Sequence, residues 1–230
     1  MEGISNSIHT AMTNQLILSL IVAIFAGGAA AYLGSLMVAK KMALVGDALG
    51  HVALPGMGIA ILLGLNVSLG AFVFLALGIL LVWYFSLKTN LSTETLVGVM
   101  FATSLAIGFL IVPEPELLEA LFGDISNVSV NACVISSLLA LVSFVIINQI
   151  YSKLIMINIS EDLAKSERIN VKGYNLLYLF LIAVIVALGI KVTGTLLVGA
   201  LVIVPAAAAK NFSKSLKQYA YGSLVIGVLS

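Results

Sequence analysis

An acid and an imidazole stand four residues apart in Gly46-Asp47-Ala48-Leu49-Gly50-His51-Val52-Ala53-Leu54-Pro55-Gly56, within a stretch otherwise apolar enough to sit in a membrane. At a lipid-facing helix centre an Asp costs roughly 2.5–3.5 kcal/mol, so such groups must be used, paired or hydrated. Helical geometry puts positions four apart on one face, about 6 Å apart along the axis. A carboxylate oxygen and a neutral imidazole nitrogen so placed can chelate a borderline divalent cation such as Zn²⁺ or Mn²⁺. Two ligands are too few for tight capture. A second copy meeting this face would complete a set of two Asp and two His. Weak, multi-point coordination also suits a pathway, because the ion must leave again. The competing reading is structural: Asp47 and His51 bond each other, or Lys40 and Lys41, and lock packing. Pro55-Gly56 follows at once, and a proline that removes a backbone donor predicts a kink or break there, a place for gating. At membrane depth a break survives only where protein or a watery cavity satisfies the freed carbonyls.

The elements that must position this pair are membrane spans. The chain has 230 residues, 61% hydrophobic and only 9% charged, with a mean hydropathy of +1.19. A soluble domain carries about 25% charged residues. This composition predicts an all-α polytopic membrane protein, one transmembrane domain over residues 1–230, with the lipid bilayer as its surroundings. A net charge of +1 gives no reason to expect a nucleic-acid partner. Runs near the required length of about 20 residues fall at roughly 15–38, 43–64, 66–87, 93–112, 129–151, 174–190 and 192–209. An eighth apolar stretch starts near Tyr219 and stops at Ser230, and reads as a truncated helix with the C-terminal helices missing. No Lys or Arg occurs in the first 39 residues, so a cleavable signal is not expected.

Charge sets the expected orientation. With the N-terminus outside, ten of the eleven basic residues fall in inner segments and only Lys191 falls outside. The outer segment 113–128 then carries Glu114, Glu116, Glu119 and Asp124. The longest inner loop, 152–173, has room for a short helix that opens on Ser160 with Glu161 and Asp162 in its first turn. That loop is either a solvated connection or a docking surface for a cytoplasmic partner. Glu94 opens the fourth span and reads first as an acid at a helix N-terminus. His9 precedes the first span and reads as a solvated residue. Pro205 predicts a kink in the seventh span, and the lone Cys133 reads as a packing residue. Small residues at Gly27 and Ala31, and at Gly194, Gly199 and Ala206 to Ala209, suit close helix packing. No Gly-rich phosphate loop, His-Glu-x-x-His or Gly-x-Ser-x-Gly occurs, so ATP hydrolysis, zinc proteolysis and serine hydrolysis are not expected of this chain.

The run from Lys40 to Gly56 resembles the signature of zinc/manganese/iron ABC-importer permeases. A second run, Gly194-Thr195-Leu196-Leu197-Val198-Gly199-Ala200-Leu201-Val202-Ile203-Val204-Pro205-Ala206-Ala207-Ala208-Ala209, is similar to that family's other hallmark, and Leu121-Phe122-Gly123-Asp124-Ile125 matches a recurrent stretch. The resemblance runs through essentially the whole chain. It implies a transport subunit rather than an enzyme, multi-pass in the plasma or inner membrane, with no cofactor of its own. Its cargo would be a divalent Mn, Zn or Fe ion. It also implies a second permease subunit, in a homodimer or a pair, two cytoplasmic ABC ATPase subunits and an extracytoplasmic metal-binding receptor. Asp47 and His51 correspond to the residues proposed to contact the ion, and Glu161, Asp162, Leu163 and Ala164 to the ATPase-docking segment. Two positions depart from the pattern: Gly50 stands where the family commonly has Ser, and Arg168 where it usually has Gly. A permease of the same architecture for a metal chelate or small organic substrate is the alternative expectation.

Overall fold

Apolar runs of 19 to 30 residues can satisfy their backbone in lipid only from within, so the spans form as helices. The computed structural model describes residues 2–113, 118, 120–123 and 129–230, with the backbone alone for 2–14 and 192. In chain order the helices are α1 (Glu2–Ala39), α2 (Ala43–Val52), α3 (Leu54–Leu62), α4 (Val67–Lys88), α5 (Thr93–Ile111), α6 (Val130–Ile159), α7 (Glu161–Ser166), α8 (Val171–Phe212) and α9 (Leu216–Leu229). Seven segments of the described residues are long and apolar enough to cross a membrane, with α2 and α3 together forming one of them and α8 supplying two. The expected outer acids Glu114, Glu116, Glu119 and Asp124, together with Ile125, lie outside the described residues, as does the side chain of His9.

Short polar side chains start the helices. Asn66, Ser92, Ser129, Ser160, Asn170 and Ser215 each accept a hydrogen bond from a backbone N–H three residues on, which satisfies a donor the helix itself leaves orphaned. Three helices end in a left-handed residue: Lys41 (φ 58°) after α1, Gly64 (φ 64°) after α3 and Arg168 (φ 59°) after α7. At each the paired backbone bonds of a Schellman turn form, for example Ile169 N–H to Ala164 O at 2.9 Å and Arg168 N–H to Lys165 O at 2.9 Å. The position where the resemblance expects glycine is thus a position whose backbone favours glycine.

Small residues set the packing. A Cβ on Gly27 would collide with the Gly227 carbonyl, and one on Gly56 with that of Gly70, so α1 closes on α9 and α3 on α4 at backbone contact. The centre is formed by α1, the α2–α3 pair and the first half of α8, whereas α4, α5 and α6 leave most of their surface exposed. Within that centre the Tyr32 hydroxyl donates to Asn148 Oδ1 at 2.9 Å and Ser35 lies 3.1 Å from the Tyr151 hydroxyl. Cys133 is buried against α1, as a packing residue would be.

Two boundaries differ from the sequence reading. Residues 152–159 continue α6 and 171–173 open α8, so the expected loop 152–173 shrinks to α7 and its flanking turns. Lys153 reads as a loop residue but reaches along the helices to donate to the Tyr174 hydroxyl at 2.7 Å. In α8 the interruption is at Gly194 (φ 72°, ψ 177°), while Pro205 sits inside the continuing helix. Gly194 and Gly123 (φ 71°) face each other so closely that neither has room for a Cβ.

Candidate metal-ion pathway

The α2–α3 span is the most enclosed of the seven, with 67% of an apolar 18-residue stretch of it buried. It is interrupted at Ala53, between Val52 and Leu54. Pro55 has no N–H to offer the carbonyl of His51, one turn back, and that carbonyl accepts instead from a backbone N–H of the turn that closes α2. The sequence pair therefore occupies the last turns of a short helix that ends at a break.

Two glycines, Gly50 and Gly199, bring the second half of α8 onto α2, and a third, Gly46, brings α1 close. A Cβ on Gly50 would lie 2.7 Å from Val198 Cγ1 and 3.0 Å from the Thr195 carbonyl. A Cβ on Gly46 would meet Met37 Cε at 3.2 Å. Gly199 is the counterpart on α8: a Cβ there would stand 2.6 Å from Asp47 Cβ and 2.7 Å from Asp47 Oδ1. The residue that departs from the family pattern, Gly50, is thus at a close helix crossing. Sequence reasoning took Gly199 as a packing residue. Its place beside Asp47 could have been found only by joining the two hallmark runs in space.

His51 is 9% exposed, and its ring lies 5.4 Å from that of Phe101 on α5, tilted by 58°. Its Nδ1 is buried without a hydrogen-bond partner, and so is the hydroxyl of Thr195 across the α2–α8 seam. No ion pair or hydrogen bond joins Asp47 to His51, Lys40 or Lys41 among the described residues. The purely structural reading of the pair therefore lacks the contacts it requires. A buried imidazole nitrogen left unpaired is costly, and a ligand for a cation is one use that accounts for it. Asp47 is half-buried on the wall of a cavity of about 210 Å³ between α2 and α5, shared with Glu94, Val97, Gly98 and Phe101. No group of three or more His, Cys, Asp or Glu gathers anywhere among the described residues. One chain offers two ligands here, short of a coordination shell.

The docking segment divides by burial. Ser160 Oγ accepts from Leu163 N–H at 3.2 Å, as the sequence reading expects of an N-cap. Glu161, Asp162 and Leu163 face outward, but Ala164 is fully buried and anchors α7 against the bundle. Lys165 pairs with Glu161 at 3.7 Å and Asp162 at 3.5 Å on the surface, pairs worth little in stability. Behind α7 a cavity of about 320 Å³ is lined by Lys40, Asn158, Ser160, Glu161, Asn175 and Tyr178. Lys40 Nζ donates to Asn175 Oδ1 at 3.3 Å and lies 5.1 Å over the Tyr178 ring. Burial holds the Lys40 ammonium below the ordinary lysine range, and the Glu161 carboxylate acts against that shift. Lys40 and Met42 belong to the turn that leads directly into α2, so α7 and the turn before the Asp47 helix share one cavity.

Comparison with known proteins places this arrangement. Residues 11–230 match the family described as the ABC 3 transport family. The chain is 29% identical over 220 residues to the manganese import system permease protein ScaB of Streptococcus gordonii, covering 94% of this chain and 78% of that protein. It is 29% identical over 204 residues to the high-affinity zinc uptake system membrane protein ZnuB of Haemophilus influenzae, covering 86% and 78%. Among solved structures it superposes on PsaBC from Streptococcus pneumoniae with a TM-score of 0.79 and 28% identity, covering 94% of this chain and 79% of that one. An inward-facing putative metal-chelate type ABC transporter shares the fold, with a TM-score of 0.77 at 18% identity over 92% of this chain and 73% of its own.

Proposed function

This chain belongs to the ABC 3 transport family, and from that premise we propose that it is the permease subunit of an ATP-driven importer of Mn²⁺, Zn²⁺ or Fe²⁺. It is a multi-pass integral protein of the plasma membrane and a transport component, with ATP hydrolysis on separate subunits. In the proposed pathway a receptor delivers the ion outside, and the ion passes between two permease subunits. The Asp47 carboxylate and the His51 imidazole of each subunit hold it in transit. Relatives named for manganese import and zinc uptake support this cargo class.

The observation that carries the reading is the unpaired Nδ1 of a buried His51, one turn from Asp47 and just before the break at Ala53. Two protein ligands per subunit make four in a dimer, the number common to transition-metal sites. With the N-terminus outside, Lys40, Lys41 and α7 lie at the cytoplasmic end, where Glu161, Asp162 and Leu163 would meet the ATPase. Movement of α7 would reach α2 through the cavity shared by Lys40 and Glu161.

Radiolabelled Mn²⁺ and Zn²⁺ uptake tests the reading in cells that express the chain with its ATPase and receptor. Asp47→Ala and His51→Ala, at membrane levels matched to wild type, should abolish uptake. Uptake at the wild-type rate in both variants would remove the proposed site.

A further inference from the structure

We infer that Glu94 is a second carboxylate station on the ion's route, lying between the Asp47–His51 pair and the end of the bundle that carries Lys40; this rests on the divalent-ion reading above. Glu94, Gly98 and Phe101 recur at the spacing of one face of α5, and all three line the cavity that Asp47 lines from α2. Phe101 is also the ring against which His51 packs, so the buried, unpartnered imidazole adjoins the same cavity wall. The two elements run side by side: Asp47 lies in the second turn of α2 and Glu94 in the first turn of α5.

Structural roles for Glu94 are already filled by others. Ser92 caps α5, accepting from Thr95 N–H at 3.1 Å. No hydrogen bond or ion pair holds the Glu94 carboxylate among the described residues. The helix dipole favours an acid there by roughly 0.3–1 kcal/mol, but it does not account for a cavity with carboxylates on both walls. Elsewhere the exposed faces of the neighbouring spans carry residues such as Leu77, Leu80, Leu138 and Val142. A groove bearing Asp47 and Glu94 amid such surfaces is a poor lipid contact and a good aqueous or subunit-covered path.

The station is sequential, not a third ligand to one ion, since no three such groups gather within coordination reach. Leu44, Val97 and Phe101 give the groove apolar walls, which leaves Asp47 and the exposed Glu94 as its cation-attracting groups. A second weak site gives the ion somewhere to go as it leaves the first. Gly98 borders open space in the groove, since a Cβ there would meet no atom within 4 Å.

The test compares initial Mn²⁺ and Zn²⁺ uptake by wild type, Glu94→Gln, Glu94→Asp and Asp47→Ala at matched membrane levels across external concentrations. Glu94→Gln should lower the maximal rate about tenfold with an unchanged half-saturating concentration, and Glu94→Asp should restore most of it. A Glu94→Gln rate within about twofold of wild type, with Asp47→Ala inactive, overturns the station and leaves the pathway standing. Uptake indifferent to Asp47→Ala as well overturns the divalent-ion reading, and the station with it.

Discussion

Gly199→Ala probes the seam that positions Asp47 without replacing either proposed ligand. The new Cβ would stand 2.6 Å from Asp47 Cβ and 2.8 Å from Asp47 Cα, whereas carbon atoms rest about 3.5–4.0 Å apart. The second half of α8 and α2 must therefore separate by about 1 Å. Overpacking of this kind costs roughly 1–3 kcal/mol, and the better helix propensity of alanine returns up to about 1 kcal/mol of it. Net destabilisation is thus small, and the protein should reach the membrane. Coordination distances, by contrast, tolerate only about 0.2 Å, so an Asp47 displaced by several times that amount should no longer share an ion with its partners. The expected outcome is near-complete loss of Mn²⁺ and Zn²⁺ uptake, with a thermal midpoint of the purified protein lowered by a few degrees. Gly222→Ala is the control, since its Cβ would meet Ala209 Cβ at an ordinary 3.7 Å and should leave uptake unchanged. Wild-type uptake by Gly199→Ala would refute the reasoning, for it would mean that the position of Asp47 does not matter to transport.

Three further outcomes follow from local features. Arg168→Gly should stabilise the protein by about 1 kcal/mol, by relieving a left-handed residue, and Arg168→Val should do the reverse; thermal unfolding in detergent reads both. Pro55→Ala restores an amide donor to the His51 carbonyl and should give a protein at least as stable but slower in uptake; a transport rate equal to wild type would take the break out of the mechanism. Glu161→Gln should push the Lys40 pKa still lower, because the carboxylate now opposes its depression. A lysine with a depressed folded pKa weighs against the fold while charged, and that cost starts to fall as pH rises through the depressed value and is gone above the ordinary one. The stability deficit of Glu161→Gln that depends on Lys40 should therefore be present at neutral pH and close as pH climbs toward the ordinary lysine value of 10.5. A double-mutant cycle with Lys40→Met isolates it, at roughly 0.2–1 kcal/mol.

The spans were legible because lipid forces long apolar runs, and such runs are visible in any sequence that contains them. The pair Asp47 and His51 stood out for the same reason: charge is conspicuous where charge is costly. Boundaries failed where amphipathic side chains blurred the edge, as with Lys153 and Asn158, which α6 carries past its apolar stretch. The interruption of α8 at Gly194 falls close to the boundary read at residue 191 between two spans, but the backbone conformation of Gly194 has no signature in one sequence. What could not be read was adjacency. Gly199 against Asp47 and Glu94 across from Asp47 each join residues far apart in the chain, and no periodicity links them. Ala164 illustrates the converse, a residue whose motif suggested contact with a partner but whose burial makes it an anchor.

The Gly194 interruption divides α8 into two rods with different employers. The rod before it is built into the centre of the bundle; the rod after it carries Gly199 and Val198 against the Asp47 helix. With a glycine in extended-type ψ and positive φ at the joint, torque applied to the second rod is not transmitted along the hydrogen-bond ladder to the first. Gly123 rests directly on that joint, so a push on its loop arrives at the fulcrum instead of at either lever arm. Beyond the joint the second rod is gripped again, since a Cβ on Gly34 of α1 would collide with the Val202 carbonyl, so the Asp47 helix leans on a rod that the scaffold beside Tyr32 itself holds.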